Sequence, residues 1–294
     1  MSRVSRLGFI PPQLPTLTHQ PPEGGGWIHE VKHDGFRTIL VIERGTVRAF
    51  TRNGHDWSER YPGIVAAAKG LRCRSAILDG EIIVQDARGA SDFEALQAAL
   101  RRRAAPLIFY AFDLLHHDGR DCLNDSLLQR RDRLKKLIEP DPQSVLQFSE
   151  EFDGDGKALF KACAKHQLEG IVSKLATAPY RSGRSKTWLK TKCFTESELV
   201  LLGIDRDRKT GAARALLASL ERGSLRYAGP AFIALQREDR EVFEAKLEEL
   251  ANDQPIFSWL RNRPARWVKP ALNVKVKHLA CRGLLRHATV RGIA

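Results

Sequence analysis

Lys32-His33-Asp34-Gly35-Phe36-Arg37 follows directly on the run Trp27-Ile28-His29-Glu30-Val31 and leads into Thr38-Ile39-Leu40-Val41-Ile42. Both runs are strand-like, so the hexapeptide sits where one strand ends and the next begins. Working outward, residues 47–51 and 76–84 continue the strand pattern, the latter broken by polar Asp79-Gly80-Glu81. Helices alternate with these strands. Ser91-x-x-Glu94 has the form of a capping box, with Phe93, Leu96 and Leu100 at helical spacing behind it. Leu127, Leu134, Leu137 and Ile138 form a second stripe, ended by Pro140, and residues 107–115 and 170–174 return to strand. Residues 11–26, rich in Pro and Gly, read as an extended lead-in; Gly24-Gly25-Gly26 is a flexible turn, since no Lys-Ser/Thr pair follows it.

After Cys193 the texture changes. Residues 199–204, 215–220 and 224–227 read as short strands, a helix follows near 240–250, and strand returns over 266–277. A β-barrel with one helix fits this pattern, and the OB fold is the candidate. The expected architecture is α+β: a mixed α/β domain over residues 1–193, then a small OB-fold barrel over 194–294.

A chain of 294 residues with 43% apolar content can bury a core in two domains. Lys and Arg outnumber Asp and Glu by 48 to 35, a formal charge of +13 that suits a polyanionic partner. The five cysteines, Cys73, Cys122, Cys163, Cys193 and Cys281, are scattered without a C-x-x-C pair. They read as reduced thiols and not as a zinc site or disulfide framework. No signal-like or membrane-spanning apolar run occurs, so a cytoplasmic protein is expected. His116-His117-Asp118 reads as a hairpin turn and not as a metal site.

A lysine attacks phosphorus only as the neutral amine, and its reference pKa of about 10.4 has to be brought down by neighbouring cations or a bound metal. Lys190 and Lys192, alternating along one strand, would share a face, and Lys174 adds a third cation. Such a face could hold a phosphate beside Lys32. Glu81 and Glu169 each adjoin a glycine, which allows a close backbone approach to a ligand. A carboxylate beside phosphate is repelled unless it holds a metal or accepts a hydroxyl proton. Each motif alone has a bland reading, as a turn or a solvated strand face; the order and spacing of all of them together do not.

At this point the chain resembles the covalent nucleotidyltransferase superfamily, and within it the ATP-dependent DNA ligases. The likeness is greatest to the ligase domain of the bacterial end-joining ligase D and its stand-alone relatives. Residues 32–37 resemble the family's motif I, Thr51-Arg52-Asn53-Gly54 motif Ia, and residues 78–81 motif III. Phe109-Tyr110-Ala111-Phe112-Asp113-Leu114-Leu115 resembles motif IIIa, residues 168–174 motif IV, and residues 187–192 motif V.

The resemblance implies an ATP-grasp-like ligase core followed by an OB domain. It implies that Lys32 attacks the α-phosphate of ATP, carries AMP, passes it to the 5′-phosphate of a nick, and leaves the 3′-OH to displace it. Glu30 and the Val31 backbone would read adenine, with Phe112 stacking on one face and Val172 covering the other. Arg37 and Arg52 would contact the ribose and the nick's 5′-phosphate. Glu81 would bind ribose, Glu169 a Mg2+ or Mn2+ ion, and Lys190 and Lys192 the transferring phosphate. Asp34 would act at the nick or a metal in the later steps. Arg286 resembles the start of motif VI and would orient pyrophosphate; the chain stops soon after it, where family members continue, which predicts less efficient self-adenylation. The exposed-looking turn Arg206-Asp207-Arg208-Lys209 reads either as a DNA phosphate contact or as a solvated loop.

Implied partners are nicked double-stranded DNA and the end-binding protein Ku, with the chain acting as a monomer at the bacterial nucleoid. Rival readings are an RNA ligase, a capping guanylyltransferase, or a non-catalytic nucleic-acid-binding relative. Glu30 disfavours guanine, the intact Lys32, Glu169, Lys190 and Lys192 disfavour the non-catalytic reading, and too few residues precede Lys32 to read the nicotinamide half of NAD.

Overall fold

The computed structural model describes residues 7–102, 106–152, 154–279 and 283–294, so Cys281 lies outside the described residues. The chain divides into two compact units, Met1–Lys192 and Cys193–Ala294.

The first unit holds strands β1 (Gln13–Thr18), β2 (Trp27–Val31), β3 (Phe36–Glu43), β4 (Thr46–Thr51), β5 (Ser75–Ile83) and β6 (Ile108–His117). It continues with β7 (Arg120–Asp121), β8 (Leu146–Phe148), β9 (Glu151–Phe152), β10 (Gly170–Leu175) and β11 (Gly183–Lys192). Its helices are α1 (Pro62–Lys69), α2 (Phe93–Arg102), α3 (Leu127–Leu137) and α4 (Gly156–Lys165). Two sheets result, ordered β1-β11-β10-β2-β9 and β4-β3-β5-β6-β7, with β8 beside β6 in the second.

The second sheet is buried on both faces, which is why β3 reads as a nearly unbroken apolar run. Leu40, Ile42, Leu78 and Ile82 pack with Ile64 of α1, Leu96 of α2 and Leu134 of α3. Ile39, Val41 and Ile77 point the other way, to Trp188 of β11 in the first sheet. Because side chains alternate, Arg37 on β3 and Asp79 and Glu81 on β5 share that inward face with Ile39 and Ile77. Register shifts between β5 and β6 bring Phe112 to the same side, where it packs with Trp188.

Two local expectations are corrected. The lead-in contains a strand: β1 runs parallel to β11, from Gln13 opposite Gly183 to Thr18 opposite Thr191. It lies at the sheet edge, where Pro15, lacking an N–H, is tolerated. The capping box at Ser91 does not form; Asp92 caps α2 by accepting from the Ala95 amide at 2.9 Å. Ser91 Oγ instead accepts from the Asp34 amide at 3.1 Å, tying the loop after Lys32 to the start of α2. A capping box does form at Ser126 and Gln129, at the head of α3.

The second unit holds β12 (Phe194–Arg206), β13 (Ala213–Glu221), β14 (Ser224–Ile233), α5 (Arg237–Glu249), β15 (Ala251–Asn252), β16 (Arg266–Val268), β17 (Asn273–Leu279) and β18 (Thr289–Ile293). The sheet order β13-β14-β18-β17-β12 closes on itself through a β12–β13 pairing. Five strands therefore form a barrel in the order first-second-third-fifth-fourth, with the third and fifth parallel and α5 between the third and fourth. That is the OB topology. The strand expected over 266–277 is two strands, β16 and β17, because Pro270 between them offers no N–H to a ladder.

Arg130 on α3 and Asp113 on β6 form a fully buried bidentate pair, Nε–Oδ1 2.7 Å and Nη2–Oδ2 2.9 Å. Arg130 Nη1 also donates to the Asp125 and Ala178 carbonyls, at 2.7 and 3.1 Å. Removing one partner strands the other charge in the core, so Asp113→Ala is expected to lower stability by about 3–5 kcal/mol in urea unfolding. A loss under ~1 kcal/mol would show the pair to be dispensable.

Candidate active site

Between the two sheets of the first unit lies a cavity of about 170 Å³ lined by Lys32 and by residues from both sheets. Register explains who meets there. Lys190 on β11 lies opposite Val172 on β10, and Val172 opposite Glu30 on β2, so the three form a row on one face. One step along, Trp188 lies opposite Lys174. Arg37 and Glu81, opposite each other on β3 and β5, face them from the second sheet with Phe112. Arg52 just beyond the end of β4 completes the wall.

Lys32 leaves the end of β2 with its amide bonded to the Gly170 carbonyl at 2.9 Å. Its Nζ lies 2.5 Å from Glu169 Oε2, and Lys192 Nζ lies 3.1 Å from Glu169 Oε1. Burial would raise the Glu169 carboxyl, but Lys32 and Lys192 outweigh it and hold it below the ordinary glutamate range. The glycines act differently from expectation. Gly170, at φ 144°, admits the neighbouring strand and not a ligand: a Cβ there would meet the Thr191 carbonyl at 2.1 Å. At Gly80 a Cβ would strike the Phe109 ring at 2.4 Å.

Glu30 is 2% exposed, accepts hydrogen bonds from Arg131 at 2.9 Å and Ser149 at 3.0 Å, and forms an ion pair with Lys174 at 2.6 Å. Burial pulls the Lys174 amine down to about 8, against the pull of Glu30, and its Nζ lies 4.3 Å from the Phe112 ring centre. Arg37 lies over the same ring at 4.4 Å, so two cations lie against Phe112. Arg37 Nε and Nη2 are bound to Asp79 at 2.5 and 2.7 Å, and Nη2 also to the Gln13 carbonyl at 3.2 Å. Of the five guanidinium donors, the two on Nη1 remain for a ligand. Asp79 is itself fixed by the Tyr180 hydroxyl, which donates to it at 2.6 Å.

Arg52 is exposed and has no ion-pair partner among the described residues. Burial, then Lys192 and Lys32, lower the Lys190 amine below its ordinary value. His33 stacks on Tyr110 with centroids 4.3 Å apart, and burial pushes its pKa down to about 4, leaving it neutral. Arg286 belongs to the second unit and is half-buried, whereas every cavity-lining residue belongs to the first. Lys174, expected as a third cation beside Lys32, lines the cavity and pairs with Glu30; Trp188 and Asp79, given no role in the sequence reading, lie two residues from Lys190 and Glu81, so strand alternation alone finds them. Leu14 and Pro15 required knowing that β1 exists.

No group of three or more metal-ligating side chains occurs among the described residues. Mg2+ needs only one or two carboxylates, with water and phosphate completing its shell. Glu169 and Glu81, both flanking Lys32, fit that requirement. Glu81 lines the cavity without a hydrogen-bond partner among the described residues, and burial pushes it up to about 7 despite Lys32 and Arg37. A carboxyl raised on folding favours the folded state below its unfolded pKa of 4.5 and loses that contribution as pH rises through 7. Glu81→Gln should therefore gain stability relative to the parent as pH rises from 5 to 8 in urea melts. A difference that is flat with pH would contradict this placement.

The ATP dependent DNA ligase domain family matches residues 17–192, and the ATP dependent DNA ligase C terminal region matches residues 208–294. The chain is 36% identical over 302 residues to the multifunctional non-homologous end joining protein LigD of Pseudomonas aeruginosa, covering 97% of this chain and 35% of that protein. It superposes on mycobacterial DNA ligase D complexed with ATP and MES with a TM-score of 0.60 at 30% identity, covering 96% of this chain and 94% of that one. The ligase domain of M. tuberculosis LigD gives 0.57 at 28% identity, with the same coverage of each chain. The chain spans about a third of the length of the full-length LigD proteins it matches. With a nucleotidyltransferase core, an OB domain and both family matches in chain order, the chain belongs to the ATP-dependent DNA ligases.

Proposed function

We propose that this chain seals nicks in duplex DNA by three successive nucleotidyl transfers, with Lys32 carrying AMP between them. The observation that carries the reading is the Lys32–Glu169 ion pair at a cavity walled by Glu30, Arg37, Glu81, Phe112, Val172 and Lys190. In the first step Lys32 Nζ bonds to the α-phosphorus of ATP while the bond to the β-phosphate oxygen breaks and pyrophosphate leaves. AMP then passes to the 5′-phosphate of the nick, and the neighbouring 3′-OH displaces it.

Glu30, immobilised by Arg131, Ser149 and the Lys174 ion pair, offers a fixed acceptor to the exocyclic amine of adenine beside the Val31 backbone. Phe112 and Val172 cover the base, Glu81 binds ribose, and Arg37 Nη1 reaches ribose or phosphate. Lys190 and Lys192 stabilise charge on the transferring phosphate, the main requirement of phosphoryl-transfer catalysis. Arg52, exposed and unpaired among the described residues, suits the nick's 5′-phosphate, and Asp34 the later steps. Arg286 is assigned to the departing pyrophosphate. Glu169 would hold Mg2+ or Mn2+, which would supply charge neutralisation for the triphosphate.

Relatives named for end joining support DNA ends as the setting; an end-binding Ku partner and a monomeric chain are part of the proposal. No helix among the described residues is long and apolar enough to cross a membrane. The test is sealing of a nicked duplex, with DNA-only or RNA-containing strands and with ATP, GTP or NAD. ATP-dependent sealing lost in Lys32→Ala and reduced at least about a hundredfold in Glu169→Gln is expected. Sealing by Lys32→Ala would overturn the assignment.

A further inference from the structure

On the second unit, Trp259 is 62% exposed, whereas Trp188 and Trp267 are buried and Trp27 and Trp57 half-buried. Its ring is braced rather than loose. Tyr227 meets it perpendicularly with centroids 5.0 Å apart, and Phe257 lies at 6.0 Å, tilted by 35°. The brace extends to the β12–β13 turn through charged groups. Arg263 Nη1 donates to the Tyr227 oxygen at 3.4 Å, and its Nη2 lies 2.6 Å from Asp205. Arg214 spans Asp205 and Asp207, at 2.9 Å from each.

These pairs occupy the Asp205 and Asp207 carboxylates. Arg208 and Lys209 on the turn, and Arg261 beside Trp259, are exposed and have no ion-pair partner among the described residues. A fixed aromatic face next to unneutralised cations has the two parts of a single-strand platform: stacking for bases and charge for the backbone. Duplex bases stack on one another and show a protein only their edges, so an open indole face favours unpaired bases. The OB fold's turn between its first two strands is also where such barrels take oligonucleotides.

We infer that Trp259, with Arg261, Arg208 and Lys209, forms a docking surface for single-stranded DNA, such as the overhang at a DNA end, separate from the Lys32 cavity. The inference rests on the proposed role at DNA ends, but binding is measured without AMP transfer, so the two fail separately.

The test uses the whole chain and a labelled oligothymidine. Binding should quench tryptophan fluorescence and raise anisotropy. Trp259→Ala should weaken affinity at least about fivefold, while Trp259→Phe, which keeps a stacking face, should bind nearly as the parent without the quench. Arg208→Ala/Lys209→Ala, on exposed side chains, should flatten the salt dependence by about 0.7 in log–log slope for each phosphate no longer neutralised. Sealing of a plain nicked duplex should be unchanged in Trp259→Ala and Trp259→Phe. Single-strand binding by Trp259→Ala equal to the parent's, or an equal Trp259 dependence for a blunt duplex, would overturn the inference.

Discussion

The interaction on which the rest of the first unit turns is the Lys32–Glu169–Lys192 triad, one carboxylate shared by two amines at 2.5 and 3.1 Å. It forms where β2, β10 and β11 run out together, and Gly170 makes that convergence possible by letting the Thr191 carbonyl approach. At an effective dielectric near 20, opposite charges 4 Å apart attract by about 4 kcal/mol, so a pair this close is a strong latch. On the proposed role of Lys32, the amine would engage phosphorus only once another group satisfies Glu169, which would couple its readiness to arrival of the nucleotide.

Around the triad the cavity is built from charges fixed in advance. Glu30 is gripped by Arg131, Lys174 and Ser149, and Arg37 by Asp79, which Tyr180 holds in turn. Buried ions are costly unless paired and hydrogen-bonded, and Glu30 and Arg37 are both. Their organisation is completed during folding, so little reorientation is left for the moment a phosphate arrives. Arg52 differs in being exposed and unpaired among the described residues, consistent with a partner that comes and goes.

How far the sequence foretold this follows from the range of the forces involved. Strands β2 and β3 and the motif lysine between them are local features, and period-two alternation carried them into the correct rows. What the sequence hid is non-local. Strand β1 owes its existence to a parallel partner about 170 residues away, so its Pro-rich text read as a lead-in. Ser91 looked like a helix cap because the spacing to Glu94 fits, yet Asp92 takes the cap and Ser91 serves the Lys32 loop. The glycines beside Glu81 and Glu169 read as places for a sharp bend or the close approach of a ligand, but the approaching group is the next strand. In the barrel, the alternating strands and the helix were legible, while closure between β12 and β13 was a matter of tertiary pairing.

The most direct measurement is the intact mass of the protein after incubation with ATP and magnesium, followed by peptide mapping. The account predicts one added AMP, located on Lys32, labile to acid through its nitrogen–phosphorus bond, and discharged when nicked DNA is added. A protein whose mass never changes, or an adduct that maps to another residue and persists in Lys32→Ala, would contradict it.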